Sequence, residues 1–160
     1  MRVFLALAIG LGASAAIAAP SPSKSDRAIF AAAGMVWKGG AWRSNCDDPG
    51  TAGYLGGAIE RLGDINGDGR EEVIVTEGSS YCYGTAETAF WLLSAQPDGK
   101  WRLIHRDTGV PMVLKTRGMA NWPDVAIGGP GFCFPVKRWN GTAYVPNRFE
   151  YEGKRCRPAR

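Results

Sequence analysis

The stretch from Leu62 to Val75, LGDINGDGREEVIV, restricts the fold more than any other part of the chain. Gly63, Gly67 and Gly69 punctuate it, and Asp64, Asn66 and Asp68 fall on alternate positions between them. Such residues form turns readily, because their side chains bond nearby backbone and glycine accepts positive φ. The apolar run Val73-Ile74-Val75 follows at once and reads as a strand. The segment is therefore a polar loop that feeds a β-strand.

Two chemistries suit such a loop: a bare Asn/Asp/Gly turn, or a calcium site. Calcium takes about six to eight oxygens at roughly 2.3–2.6 Å. Short oxygen-bearing side chains on alternate residues, with a sharp turn among them, supply that set. Asp64, Asn66 and Asp68 stand at positions one, three and five, and Gly69 at six. Arg70, at seven, is expected to offer its carbonyl and point its side chain away, while Glu72 at nine adds a carboxylate. An EF-hand needs a Glu at position twelve and a helix on each side. Val75 occupies that position inside a strand. Magnesium suits the loop less, because it demands near-octahedral geometry and retains water. The expectation is one Ca2+ held outside an EF-hand.

Elsewhere the chain is rich in glycine, proline and aromatics. One short helix is expected at about 26–33, where Ser23 and Asp26 have capping-box spacing and Gly34 suits a stop. Asp98-Gly99 and Asn140-Gly141 separate alternating apolar runs, and both are expected to form tight two-residue hairpin turns. Glu72-Val73-Ile74-Val75 aligns with Asp124-Val125-Ala126-Ile127, and Cys82 aligns with Cys133. This weak repeat predicts a mainly β fold of two blade-like antiparallel units with one short N-terminal helix. The units are expected over about 55–106 and 123–151, as an incomplete propeller or one twisted sheet.

At these residues the chain resembles the FG-GAP (VCBS-type) repeat, which builds calcium-bearing propeller blades. Leu55-Gly56, Gly63 to Gly69 and Glu72 to Val75 carry the likeness, and Gly128-Gly129-Pro130 echoes the repeat's second signature. The resemblance implies Asp64, Asn66, Asp68, Arg70 and Glu72 as ligands. Met119 to Pro123 lacks the oxygen ladder, so the second unit is expected to be metal-free. A propeller has about four to eight blades, and this chain has length for two. The whole chain also resembles small exported bacterial proteins, of no assigned role, with a CFPV-x-RWNG stretch.

The first 18 residues read as a secretory signal peptide: Arg2, an apolar run, then Ala16-Ile17-Ala18. Residues 19–160 are expected to form a single disulfide-stabilised domain in the periplasm or outside the cell, without an integral membrane anchor. The four cysteines form no C-x-x-C pair, so two disulfides are expected. Of three possible pairings, the repeat spacing permits Cys82 with Cys133, leaving Cys46 with Cys156.

A catalytic role finds little support. His105 is the only histidine and sits in an alternating strand pattern, Ser79 and Ser80 lack a nucleophile elbow, and the clustered acids are better used as ligands. The reading is a non-catalytic module that calcium stabilises and that binds an envelope or extracellular macromolecule. From Lys137 onward seven basic residues face two acidic ones, which suits an anionic envelope component or a protein rather than nucleic acid in an exported chain. Most of the six tryptophans are expected in the core. Trp122, Phe132, Phe134, Arg138 and Trp139 are the candidate binding face. The alternatives are a small secreted inhibitor of a hydrolase and a weak hydrolase using acidic residues.

Overall fold

The computed structural model describes residues 23–158. The expected signal peptide, residues 1–18, lies outside the described residues. The fold is mainly β, as expected, with one short helix near the N-terminus.

Helix α1 spans Lys24–Ala32. Ser23 caps it, and both halves of the capping box with Asp26 are formed. The helix stops before Gly34, which takes φ +78°. A two-stranded ribbon follows: β1 (Val36–Lys38) and β2 (Ala41–Arg43). It turns at Gly39-Gly40, both with positive φ. Two such residues are what a two-residue hairpin turn requires, and this hairpin was not foreseen.

The first sheet is a four-stranded meander: β3 (Leu55–Gly63), β4 (Glu72–Gly78), β5 (Thr88–Ala95) and β6 (Trp101–Thr108). A one-turn helix, α2 (Ser80–Tyr83), links β4 toward β5. The second sheet contains β7 (Val110–Arg117), β8 (Pro123–Gly128), β9 (Phe134–Trp139), β10 (Tyr144–Tyr151) and β11 (Lys154–Arg155), with β7 and β11 at its edges. The second unit thus starts earlier than expected. β7 was missed because Pro111, Lys115 and Arg117 dilute its apolar pattern, as edge strands allow. The aligned segments of the internal repeat are β4 and β8, the second strand of each meander.

The turns at Asp98-Gly99 and Asn140-Gly141 do close hairpins, but not as two-residue loops. Gln96 N donates to Lys100 O, so Pro97 joins the first turn. Asn140 Oδ1 accepts from the amides of Thr142 and Ala143, which widens the second. Only the glycine of each dipeptide has positive φ.

Strands β4 and β5 lie between two cores. Val73, Val75, Trp91 and Leu93 pack with Ile29, Phe30 and Met35 on the helix side. Ile74, Phe90 and Leu92 face the second sheet, where they meet Trp122, Val125, Ile127, Trp139 and Tyr144. A strand covered on both faces reads as a continuous apolar run, which is what Val73 to Val75 shows.

The disulfides differ from the expected pairing. Cys46 bonds Cys82, and Cys133 bonds Cys156. Cys82, in α2, and Cys133 do lie in the connections that follow equivalent strands. A bridge, however, needs Cα atoms about 4.4–6.8 Å apart, and each cysteine finds such a neighbour within its own unit, at 6.1 Å and 5.7 Å respectively. Neither bridge links the two sheets.

Candidate functional site

The β3–β4 loop is organised by its own acceptors. Gly63, Gly67 and Gly69 take φ of +70°, +84° and +81°, letting the chain curl around Asp64. Asp64 Oδ1 accepts from Gly67 N at 2.7 Å and Asp68 N at 3.1 Å, while its Oδ2 accepts from Gly69 N at 2.8 Å. These amides, led by Gly69, hold the Asp64 carboxyl below its ordinary value. Asn66 Oδ1 accepts from Asp68 N at 2.8 Å, and Asp68 Oδ1 from Arg70 N at 2.9 Å.

Glu72 closes the loop from the first residue of β4. It is fully buried. Its Oε2 accepts from Ile65 N at 3.0 Å, and Oε1 from Ser94 Oγ at 2.8 Å. Asn66 Nδ2 bridges the two acids, 3.3 Å from Asp68 Oδ2 and 3.4 Å from Glu72 Oε1. Burial pushes the Glu72 carboxyl up; Ser94 and Ile65 oppose that, and the charges of Asp68 and Asp64 add to it.

Arg70 departs from expectation. Its side chain folds back, donating to Asp68 Oδ2 at 2.6 Å and to Ala95 O at 3.0 Å. A guanidinium beside a carboxylate is a stable local arrangement, so the side chain does not leave the loop. Among the described residues, no three Asp, Glu, His or Cys side chains converge closely enough to form a ready-made metal cage. The chemistry of the donor set still fits calcium: every side-chain donor the sequence nominated is a hard oxygen, and Asn66, Asp68 and Glu72 share one cluster.

The second unit solves the same electrostatic problem differently. Asp124 is the second residue of β8 and Glu72 the first of β4, and Asp124 too is fully buried. Arg138 grips it with two bonds, 2.9 Å and 2.8 Å, Arg148 adds one at 2.6 Å, and Thr116 Oγ1 donates at 2.6 Å. Burial raises this carboxyl, but Arg138, Thr116 and Arg148 outweigh it and hold it well below the carboxylate range. Among the described residues, no arginine or lysine reaches Glu72. The loop also docks on the second unit. Arg117 Nη1 donates to Ile65 O at 2.6 Å and Asn121 Nδ2 to Asn66 O at 2.9 Å.

The expected binding face does not form one surface. Trp122 and Trp139 are each only 6% exposed and pack against each other and Tyr144 in the inter-sheet core. Their indoles fill the gap between sheets, so they cannot meet a partner. Arg138 is committed to Asp124. Phe132 and Phe134 pack on Tyr151, with Phe132 75% exposed.

Two buried acids were missed as sites of organisation. Glu77 accepts from Ser44 N, Ser44 Oγ, Tyr54 Oη at 2.8 Å and Tyr83 Oη. Burial and then Glu77 push both phenols above their ordinary range, so they remain donors. Asp48 accepts from Ser79 Oγ and from the amides of Gly50 and Thr51. Burial works against its charge, yet these bonds hold it at about 2. The signal for Glu77 was a second acid in β4, beyond the apolar run that follows Glu72.

No protein-family pattern, curated protein or solved structure matches the chain.

Proposed function

We propose that the chain is an exported, non-catalytic binding module for an envelope or extracellular macromolecule, and that its β3–β4 loop takes one Ca2+. The observation that carries the calcium reading is the contrast between two equivalent carboxylates. Asp124 is neutralised by two arginines, whereas Glu72 is equally buried, has Asp64 and Asp68 nearby, and has only neutral donors. A buried carboxylate without a counter-charge is costly. Calcium supplies that charge through hard oxygens. Asp64, Asn66, Asp68 and Glu72 would hold the ion, with the Arg70 carbonyl as the further oxygen. The ion's role is structural: it stiffens a loop that Arg117 and Asn121 anchor to the second sheet. Two disulfides suit an oxidising compartment. No described helix is long and apolar enough to cross a membrane.

The test is thermal melting with calcium, magnesium and chelator. Calcium is expected to raise Tm, and magnesium much less. Asp68→Ala should remove the rise; an unchanged rise in that variant would place the ion elsewhere.

One observation favours a second reading, a small secreted inhibitor. Phe132 lies exposed on a Gly/Pro loop that the Cys133–Cys156 bridge tethers. Assay against a panel of secreted proteases and glycosidases tests it: inhibition that Phe132→Asp abolishes would support it, and no inhibition of any would reject it.

A further inference from the structure

We infer that the cleft between α1, the β1–β2 ribbon and β3 binds a neutral sugar ring. This rests on the reading of the chain as a binding module and names its ligand class; it does not rest on calcium. The cleft has a volume of about 460 Å³ and is lined by Asp26, Phe30, Trp37, Trp42, Ile59 and Arg61, among others. That volume falls within the ordinary range for small-ligand sites, roughly 300–1,000 Å³.

The two indoles make a corner. Trp37 and Trp42 are directly opposite across the ribbon. Their rings meet at 69°, with centroids 5.6 Å apart. Trp42 lies flat on Phe30 at 4.8 Å and 14°, so the helix-side core backs it. Trp37 remains 55% exposed although it is the largest side-chain type. A rigid indole with a free face offers an apolar platform at little entropic cost.

The polar side of the cleft is also fixed. Arg61 is held between Asp26 and Glu71, at 2.8 Å to each. Of these, Asp26 and Arg61 line the cleft and are partly exposed, with lone pairs and N–H groups left for a ligand. Trp42 contributes ring surface rather than a donor, because its Nε1 is buried.

These features select among ligands by charge. A cation would meet the guanidinium of Arg61. An anion would meet the carboxylate of Asp26. A wholly apolar ligand would strip water from both charged groups without replacing it. A pyranose ring has apolar C–H faces for indole and a belt of hydroxyls for a carboxylate and a guanidinium. It satisfies both halves of the cleft with no net charge.

The test uses the disulfide-bonded protein and three hexasaccharides as probes: β-1,4-linked N-acetylglucosamine, β-1,4-linked glucose and α-1,4-linked glucose. Calorimetry and two-dimensional NMR of the indole N–H signals are run with calcium and with chelator. At least one probe is expected to bind and to shift the Nε1 resonance of the exposed Trp37. Trp37→Ala should weaken binding at least about tenfold, which is about 1.4 kcal/mol, with Tm unchanged because the side chain is exposed. Trp42→Phe keeps a ring on Phe30 but shrinks the apolar corner, and should weaken binding several-fold. The proposal is overturned if no probe binds at about 10 mM, a Kd weaker than any useful recognition, or if Trp37→Ala binds like the parent. Sugar binding in both buffers without a calcium effect on Tm would reject the calcium loop and keep the cleft. A calcium effect without sugar binding would do the reverse.

Discussion

Charge burial sets the character of individual residues. Asp124 and Arg148 are almost wholly removed from water, and Arg138 is partly exposed. Asp124→Asn would remove the counter-charge of Arg138 and one of the two carboxylates that hold Arg148, which keeps Glu150 at 2.8 Å. Breaking a buried pair costs about 3–5 kcal/mol, and the exposure of Arg138 puts this case near 3. Urea unfolding at neutral pH measures it. Because the folded Asp124 carboxyl is depressed, its contribution is full above the unfolded value of about 3.9 and is lost only as pH falls through a much lower folded value.

His105 titrates in a different window. It packs between Phe90 and Tyr144, and its Nε2 has no hydrogen-bond partner among the described residues. Burial, then Lys137, depress its pKa, against a smaller pull from Asp107 3.6 Å away. The fold therefore favours the neutral ring, and the unfolded chain takes the proton first. Stability should fall as pH drops below about 6.5. Melting from pH 8 to pH 5 should show that decline, and His105→Gln should flatten it. A parallel decline in both proteins would rule the assignment out. Glu72 carries the opposite sign. Its raised carboxyl means that ionisation costs stability above the unfolded value of about 4.3 when no cation is present. The calcium-induced rise in Tm should consequently be larger at pH 7 than near pH 4.5; equal rises would separate the ion from Glu72.

At the scale of elements, the junction between the sheets is a single residue. Gly109 lies between β6 and β7, with φ +130° and its amide bonded to Thr88 O. An added Cβ would lie 2.4 Å from Gly128 O and 2.6 Å from Ile127 Cγ2. Neither backbone nor core has room to yield, so Gly109→Ala should cost at least about 2 kcal/mol, read from the midpoint of urea unfolding. Gly99, by contrast, has open space around its Cβ position, and strain from positive φ alone should make its replacement milder. The hairpins were legible because Asp-Gly and Asn-Gly chemistry is local. Their loop lengths were not, since Pro97 and the Asn140 side chain decided them. The Gly39-Gly40 ribbon had a signal of the same kind, in glycines that permit a turn without specifying strands around it.

Across the whole molecule, two cores share one central pair of strands, and each disulfide ties down the periphery of its own unit. The bridges close loops with separations of 36 and 23 residues. Each should contribute roughly 3–4 kcal/mol in the chain-entropy view. Peptide mapping without reductant should recover Cys46 with Cys82 and Cys133 with Cys156, and no free thiol. A Cys82–Cys133 peptide would contradict the arrangement of the sheets. Reduction should lower Tm while leaving the two-core β fold to be judged by its circular dichroism.

The sequence by itself determined what depends on neighbours along the chain. Ser23 and Asp26 specify a helix start, alternation and glycine-bearing turns specify antiparallel strands, and Asp64 to Gly69 specify a curled loop with inward acceptors. The repeat between β4 and β8 was also legible, because the acid and the apolar run recur together. Only the tertiary structure decided which sides face one another. Packing one sheet on another buried Trp122 and Trp139 while leaving Trp37 out, gave each cysteine its partner, and placed two arginines on Asp124 but none on Glu72. Those outcomes turn on contacts between residues far apart in sequence, where local propensity carries no information and the filling of shared volume does.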